Sequence, residues 1–205
     1  MKLPKPELTT LTLRQMKRKL ATNSKRMGAG AFAYVYQSKK HRDRVVKVGY
    51  CNDGDVYDHP HTDPYLMYLK KVLKNRTNPY FPKVHSIKIY KYVYHRKSLD
   101  DYHEDTHYYF VIELEKLAGF YGLSTGDRKR AMYRHFPKHT TGAFRENLFD
   151  RCAREYDRFL KKAIMIIRKV GGDGQTYSED FHTGNFMWRV VKNRQPQLVI
   201  TDPIS

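Results

Sequence analysis

Residues 27–50 read MGAGAFAYVYQSKKHRDRVVKVGY. Aromatic and β-branched residues stand on both sides of a basic turn, Ser38 to Asp43, which predicts a hairpin, with a further strand entering from KRMGAG. Within it, Gly28, Ala29, Gly30, Ala33 and Val35 fit the pattern G-x-G-x-x-G-x-V with alanine at the third glycine. In a strand-turn-strand setting such a segment lets backbone amides close over phosphate groups. A glycine pair in a hairpin is more often only a turn. What adds weight is Val45-Val46-Lys47 on the next strand, where an ammonium is within reach of the α- and β-phosphates of a nucleotide.

Beyond the hairpin and a polar loop, Asn52 to Thr62, Asp63-Pro64 predicts a helix start: the carboxylate caps free amides and proline fits the first helical position. Tyr65, Leu66, Tyr68, Leu69, Val72 and Leu73 fall on one face at helical spacing, and Asn78-Pro79 ends the element. Val84–Tyr94 and His107–Leu114 return to a strand pattern. The second half differs in kind. Leu148, Cys152, Tyr156, Phe159, Ala163, Ile167 and Val170 recur every three or four residues, predicting a long amphipathic helix stopped at Gly171-Gly172. Phe186–Val191 and Leu198–Thr201 predict a short hairpin that delivers Asp202 at its end.

Between that helix and that hairpin lies YSEDFHTGNFMW, Tyr177 to Trp188. Asp180 and Asn185 carry the spacing D-x-x-x-x-N, in which the aspartate accepts the proton of an attacking hydroxyl and the asparagine carbonyl ligates magnesium. Asp202 supplies the anionic oxygen that a hard cation prefers. Each of these residues alone reads as a loop cap. Together, in this order and behind a glycine-rich hairpin and a strand lysine, they point to phosphoryl transfer.

Charge bounds the partners. The chain has 39 Lys+Arg against 21 Asp+Glu, a balance of +18 that draws anionic partners such as nucleic acid, nucleotides or acidic protein surfaces. Positive charge concentrates in Arg14–Arg26 and Arg128–Arg145, neither of which carries an RNA-recognition, zinc-finger or helix-turn-helix signature; a generally solvated basic surface is the alternative to a binding patch. No apolar run approaches the roughly 20 residues that span a bilayer, and MKLPKPELTT lacks a signal-peptide core, so the expectation is a soluble intracellular protein with no membrane partner. Two cysteines, Cys51 and Cys152, are too few for a disulfide framework or a zinc site.

The order glycine-rich hairpin, V-V-K, helix, two strands, long helix, D-F-H-T-G-N, strand, T-D-P resembles the eukaryotic-type protein kinase fold. More narrowly, GAGAFAYVY, RVVKVGY, DFHTGNFMW and ITDPIS resemble the early serine/threonine protein kinases of T-seven-like bacteriophages. That resemblance implies an α+β, small two-lobed protein-kinase-like fold: a basic segment 1–26, an antiparallel-sheet N-lobe over 27–116, and a linker and reduced helical C-lobe over 117–205. It implies ATP and magnesium (Mg2+) as cofactors. Gly28, Ala29, Gly30, Ala33, Val35 and Lys47 would bind the nucleotide, Asp180 and Lys47 would be catalytic, and Asn185 and Asp202 would hold the metal. The implied activity is phosphorylation of host bacterial proteins, RNA polymerase and translation factors among the candidates, and of itself, in the host cell cytoplasm. Nucleic acid stays open as a further partner.

Departures from the pattern matter. H-R-D is here Ser178-Glu179-Asp180, and His182 gives the D-x-H-x-x-N form of small-molecule kinases. D-F-G is Asp202-Pro203-Ile204. The helix after Pro64 has no glutamate to hold Lys47, so Asp58, Asp63 or Glu113 would have to substitute, or no such pair exists. With three residues after Asp202 there is no activation segment, which suggests a minimal kinase or a larger protein ending here by truncation. Two alternatives stand beside the kinase: a pseudokinase-like binder that blocks a host target through its basic face, and a small-molecule phosphotransferase.

Overall fold

The computed structural model describes residues 3–22, 24–29, 33–51, 59–97, 102–119, 124, 126, 158–170, 185–191, 194 and 196–204. In chain order the elements are β1 (Glu7–Thr9), α1 (Leu13–Ala21), β2 (Arg26–Ala29), β3 (Ala33–Gln37), β4 (Arg44–Tyr50), α2 (Pro64–Lys74), β5 (Val84–Lys97), β6 (Tyr102–Glu115), α3 (Arg158–Arg168), β7 (Phe186–Arg189) and β8 (Gln197–Ile200). The protein is α+β. Its described residues form a six-stranded mixed sheet in the order β1-β5-β6-β4-β3-β2, a two-stranded sheet β7-β8, and three helices.

The chain divides into two compact units, one of residues 1–67 and 83–116, the other of residues 68–82 and 117–205. The first holds the large sheet. Antiparallel pairing joins β2 to β3, β3 to β4, β4 to β6 and β5 to β6. The antiparallel pairing expected over 27–116 is found there; the sheet is mixed because Glu7, Leu8 and Thr9, from the basic segment 1–26 expected outside it, pair in parallel with Tyr90, Lys91 and Tyr92. Three residues from the amino-terminal segment suffice, because the bonds of a ladder come from the backbone and need no side-chain pattern.

Register sorts the side chains, since residues paired across strands share a face and neighbours along a strand alternate. One face carries Tyr34, Tyr36, Val46, Val48, Tyr109 and Val111. Helix α1 covers it: Leu13 and Met16 are buried in one cluster with Tyr36, Val48 and Tyr109. The start of α1 is fixed by a capping box, in which Gln15 N donates to Thr12 Oγ1 at 3.2 Å and Thr12 N donates to Gln15 Oε1 at 2.8 Å. The opposite face carries Gly28, Val35, Lys47, Phe110 and Ile112. Against it lies the start of α2, with the Tyr65 ring 5.6 Å from that of Phe110.

In the second unit β7 and β8 pair from Phe186–Ile200 to Arg189–Gln197, and Trp188 adds a bridge to Ala118. Trp188, Leu198, Val199 and Ile200 are buried. Helix α3 buries Leu160, Ala163, Ile164 and Ile167. Phe159, expected on that face, is instead 39% exposed, because the buried stripe passes through the neighbouring Leu160. The earlier part of the expected long helix, 148–157, and its glycine stop lie outside the described residues.

Candidate functional site

Of the residues expected to bind phosphates, Gly28 and Ala29 end β2, Ala33 and Val35 lie on β3, and Gly30 is outside the described residues. Gly28 pairs with Val35, Val35 with Lys47, and Lys47 with Ile112. The glycine, the valine and the lysine therefore form one row across three strands, on one face of the sheet. A Cβ added to Gly28 would have no heavy atom within 4 Å among the described residues, so among them the surface above this row is open at the glycine. The register of β2 shifts between Arg26 and Gly28, an irregularity that sets where the glycine falls on that face.

Lys47 is half-buried, and its Nζ stands 3.4 Å above the centre of the Tyr65 ring. Tyr65 is itself buried on the first turn of α2. That turn is anchored by Asp63, whose Oδ1 accepts from Leu66 N at 2.7 Å, the cap that Asp63-Pro64 predicts. Among the carboxylates considered as partners for Lys47, Glu113 is corrected by the register: it pairs with Val46 and faces the other side of the sheet. There it accepts from Ser38 Oγ at 3.1 Å and from Arg44 Nη1 at 3.2 Å. Asp63 uses one carboxylate oxygen as the helix cap, and Asp58 is outside the described residues.

In the second unit, the residues just outside the β7–β8 ladder are Asn185 and Thr201. Thr201 N and Oγ1 both donate to Asn185 O, at 2.8 and 2.9 Å. Asp202 follows directly, so an amide and a carboxylate 17 positions apart in sequence lie at one end of one hairpin. The hairpin is held in place by polar bonds: Tyr68 OH donates to Ile200 O at 2.6 Å and Ile200 N to Tyr80 O at 2.8 Å. Arg189 donates to Pro79 O and Phe81 O at 2.9 and 3.0 Å. An amide oxygen and a carboxylate are the hard donors that suit magnesium. Among the described residues no group of three or more His, Cys, Asp and Glu converges as a metal site. Asp180 and His182, central to the sequence reading, lie outside the described residues, as does the basic run Arg128–Arg145.

The other basic run is described and has structure that its composition hides. From Glu7 to Asp43 there is no acidic residue between, while nine Lys and Arg occur. Arg14, Arg18, Lys19, Lys25 and Arg26 are exposed around α1 and the start of β2. Lys17 turns inward, its Nζ 3.7 Å over the Tyr34 ring, and burial pushes its ammonium below the ordinary lysine pKa. Among the described residues no helix is long and apolar enough to cross a membrane. Cys51 is buried and not in a disulfide. No protein-family model matches the chain, and no curated protein matches it significantly.

Proposed function

We propose that this chain is an ATP-dependent phosphotransferase with a two-lobed, protein-kinase-like fold. Its substrates would be serine or threonine residues of host bacterial proteins, as the resemblance to early kinases of T-seven-like bacteriophages implies, and its place of action the host cytoplasm. The observation that carries the reading is the row Gly28–Val35–Lys47: a glycine with open space above it among the described residues, cross-strand from a valine and an inward-directed lysine, on the face where α2 begins. In that reading the hairpin amides and the Lys47 ammonium bind the nucleotide phosphates. Asn185 and Asp202 would hold magnesium, which neutralises charge as the γ-phosphoryl group leaves. Asp180 would take the proton of the attacking hydroxyl.

The test is transfer of label from γ-labelled ATP, with magnesium, to proteins of a host lysate. Wild type is expected to label them, and Asp180→Asn to lower the rate by about 10²–10⁴, the usual contribution of a general base. A folded Asp180→Asn protein that labels as well as wild type would remove Asp180 from the chemistry. A second reading is favoured by the exposed Arg14, Arg18, Lys19, Lys25 and Arg26: a protein that blocks an acidic host target by binding it. It predicts that Asp180→Asn still shuts the target down, and that this effect weakens with salt.

A further inference from the structure

The face of the large sheet opposite the Gly28–Val35–Lys47 row carries a second surface. Helix α1 bears Arg14, Lys17 and Arg18 at spacings of three and four residues, so the three stand on one side of the helix, about 5–6 Å apart at their bases. Arg14 and Arg18 are exposed. Lys17 marks which way that side looks: its Nζ is 3.7 Å from the centre of the Tyr34 ring and 5.8 Å from that of Tyr50. Tyr50, the last residue of β4, is 44% exposed. Its backbone is fixed by pairing with Tyr109, which is buried, stacks on Tyr90 at 5.1 Å and donates to Leu11 O at 3.0 Å. The same row continues through Tyr90 to Glu7. That carboxylate is three strands from Tyr50, roughly 14 Å at the usual strand spacing, which is beyond the screening length of about 8 Å.

Three cations at one-turn spacing suit a line of phosphates, and an exposed ring beside them suits one base. Cations alone fit any polyanion, the acidic protein target of the second reading included. The ring decides, because unpaired bases offer π-faces for stacking and carboxylates do not. We propose that α1 and the end of β4 form a binding surface for single-stranded nucleic acid, with Arg14, Lys17 and Arg18 on the phosphates and a base stacked on Tyr50. The surface stands apart from the nucleotide-binding reading, since it uses the other face of the sheet.

The experiment is fluorescence anisotropy of end-labelled oligo(dT) and oligo(U), about 20 nucleotides long, with the full chain between about 50 and 200 mM salt. Each phosphate contact contributes about −0.7 to the slope of log affinity against log salt for a single strand, so three contacts predict about −2 or steeper. The double variant Arg14→Gln/Arg18→Gln should flatten that slope by about 1.4 and weaken binding about tenfold near physiological salt. Lys91→Gln, which removes a charge from the opposite face, should change affinity less than about twofold. Tyr50→Ala should weaken the single strand about tenfold and Tyr50→Phe less than about twofold, since phenylalanine keeps the ring. On a duplex, whose bases are already stacked on one another, Tyr50→Ala should change nothing.

Absence of saturable binding to either oligonucleotide would overturn the proposal. So would polyglutamate that displaces the strand as well as unlabelled oligonucleotide of equal charge, which would give the surface to an acidic protein. A loss in Arg14→Gln/Arg18→Gln no larger than in Lys91→Gln would reduce the effect to the general field of the chain and overturn it too. No loss in folded Tyr50→Ala, or an equal loss on strand and duplex, would overturn the stacking contact and with it the assignment to single strands. Thermal melting confirms that each variant folds. Both arginines are exposed, so the salt slope and the polyglutamate competition carry the test if Tyr50→Ala does not fold. With binding established, the tighter of oligo(dT) and oligo(U) names the strand as DNA or RNA.

Discussion

Replacing Gly28 by alanine separates the fold from the site at a single atom. Among the described residues the added Cβ meets no heavy atom within 4 Å, and the residue sits in a β-strand rather than in the left-handed region, so alanine fits there without strain. Its main effect on stability then comes from the unfolded chain, which loses conformational freedom, and the gain should be about 0.4–1 kcal/mol. For a chain of this size that raises the melting temperature by roughly 1–4 °C. The proposed function makes the opposite demand, because a methyl group on the face shared with Val35 and Lys47 occupies space that phosphates would enter. Thermal or urea melting should therefore show an unchanged or slightly stabilised protein, while ATP affinity by calorimetry falls. Destabilisation by more than about 1 kcal/mol, well outside what an unstrained glycine replacement gives, would refute the packing argument. Unchanged ATP affinity would refute the assignment of the hairpin to phosphate binding.

Thr201→Val keeps the shape and the backbone bond to Asn185 O but removes the Oγ1 bond of 2.9 Å. It should cost about 0.5–1.5 kcal/mol in a urea melt, and it should raise the magnesium concentration needed for ATP binding, since Asn185 and Asp202 flank the lost bond. Asp63→Ala removes the cap of α2 and should cost about 1–2 kcal/mol, whereas Asp63→Asn, which can still accept from Leu66 N, should cost much less. Tyr109 donates to Leu11 O and is buried, which pushes its hydroxyl above the ordinary tyrosine pKa. With the folded value raised, its contribution to stability is complete below pH 10 and is lost as pH climbs from there through the folded value. Urea midpoints from pH 8 upward should consequently fall more steeply for wild type than for Tyr109→Phe.

The hairpin and α2 were legible because their signals are local. Alternation in AYVYQ and RVVKVGY needs only the neighbouring residues to be read, and the Asp63-Pro64 start is a cap whose chemistry is complete within four positions. Helix α1 was not read, although Thr12 and Gln15 form a capping box and Leu13, Met16 and Leu20 repeat at helical spacing. Six Lys and Arg between Arg14 and Arg26 made the segment look like a solvated charge run and masked so thin an apolar stripe. Strands β5 and β6 run past their apolar parts, to Lys97 and back to Tyr102, because two long arms can continue pairing through their backbones whatever the side chains. At the site, the direction of Lys47 follows from register with Val35 and Ile112, which no single strand reveals. Its neighbours were sought among carboxylates, where charge makes a candidate visible. A ring face has no charge to search for, so Tyr65 read as one more apolar position of α2.

Central to the proposed function is that the chain binds a nucleotide with magnesium and that Asp202 takes part in holding the metal. Calorimetric titration of ATP into the purified chain, with and without magnesium, in wild type and Asp202→Asn, tests it most directly. Wild type should bind ATP saturably and more tightly with magnesium, and Asp202→Asn should lose the magnesium response while melting at the same temperature. ATP binding in wild type that is absent, or a magnesium response that survives intact in Asp202→Asn, would contradict it.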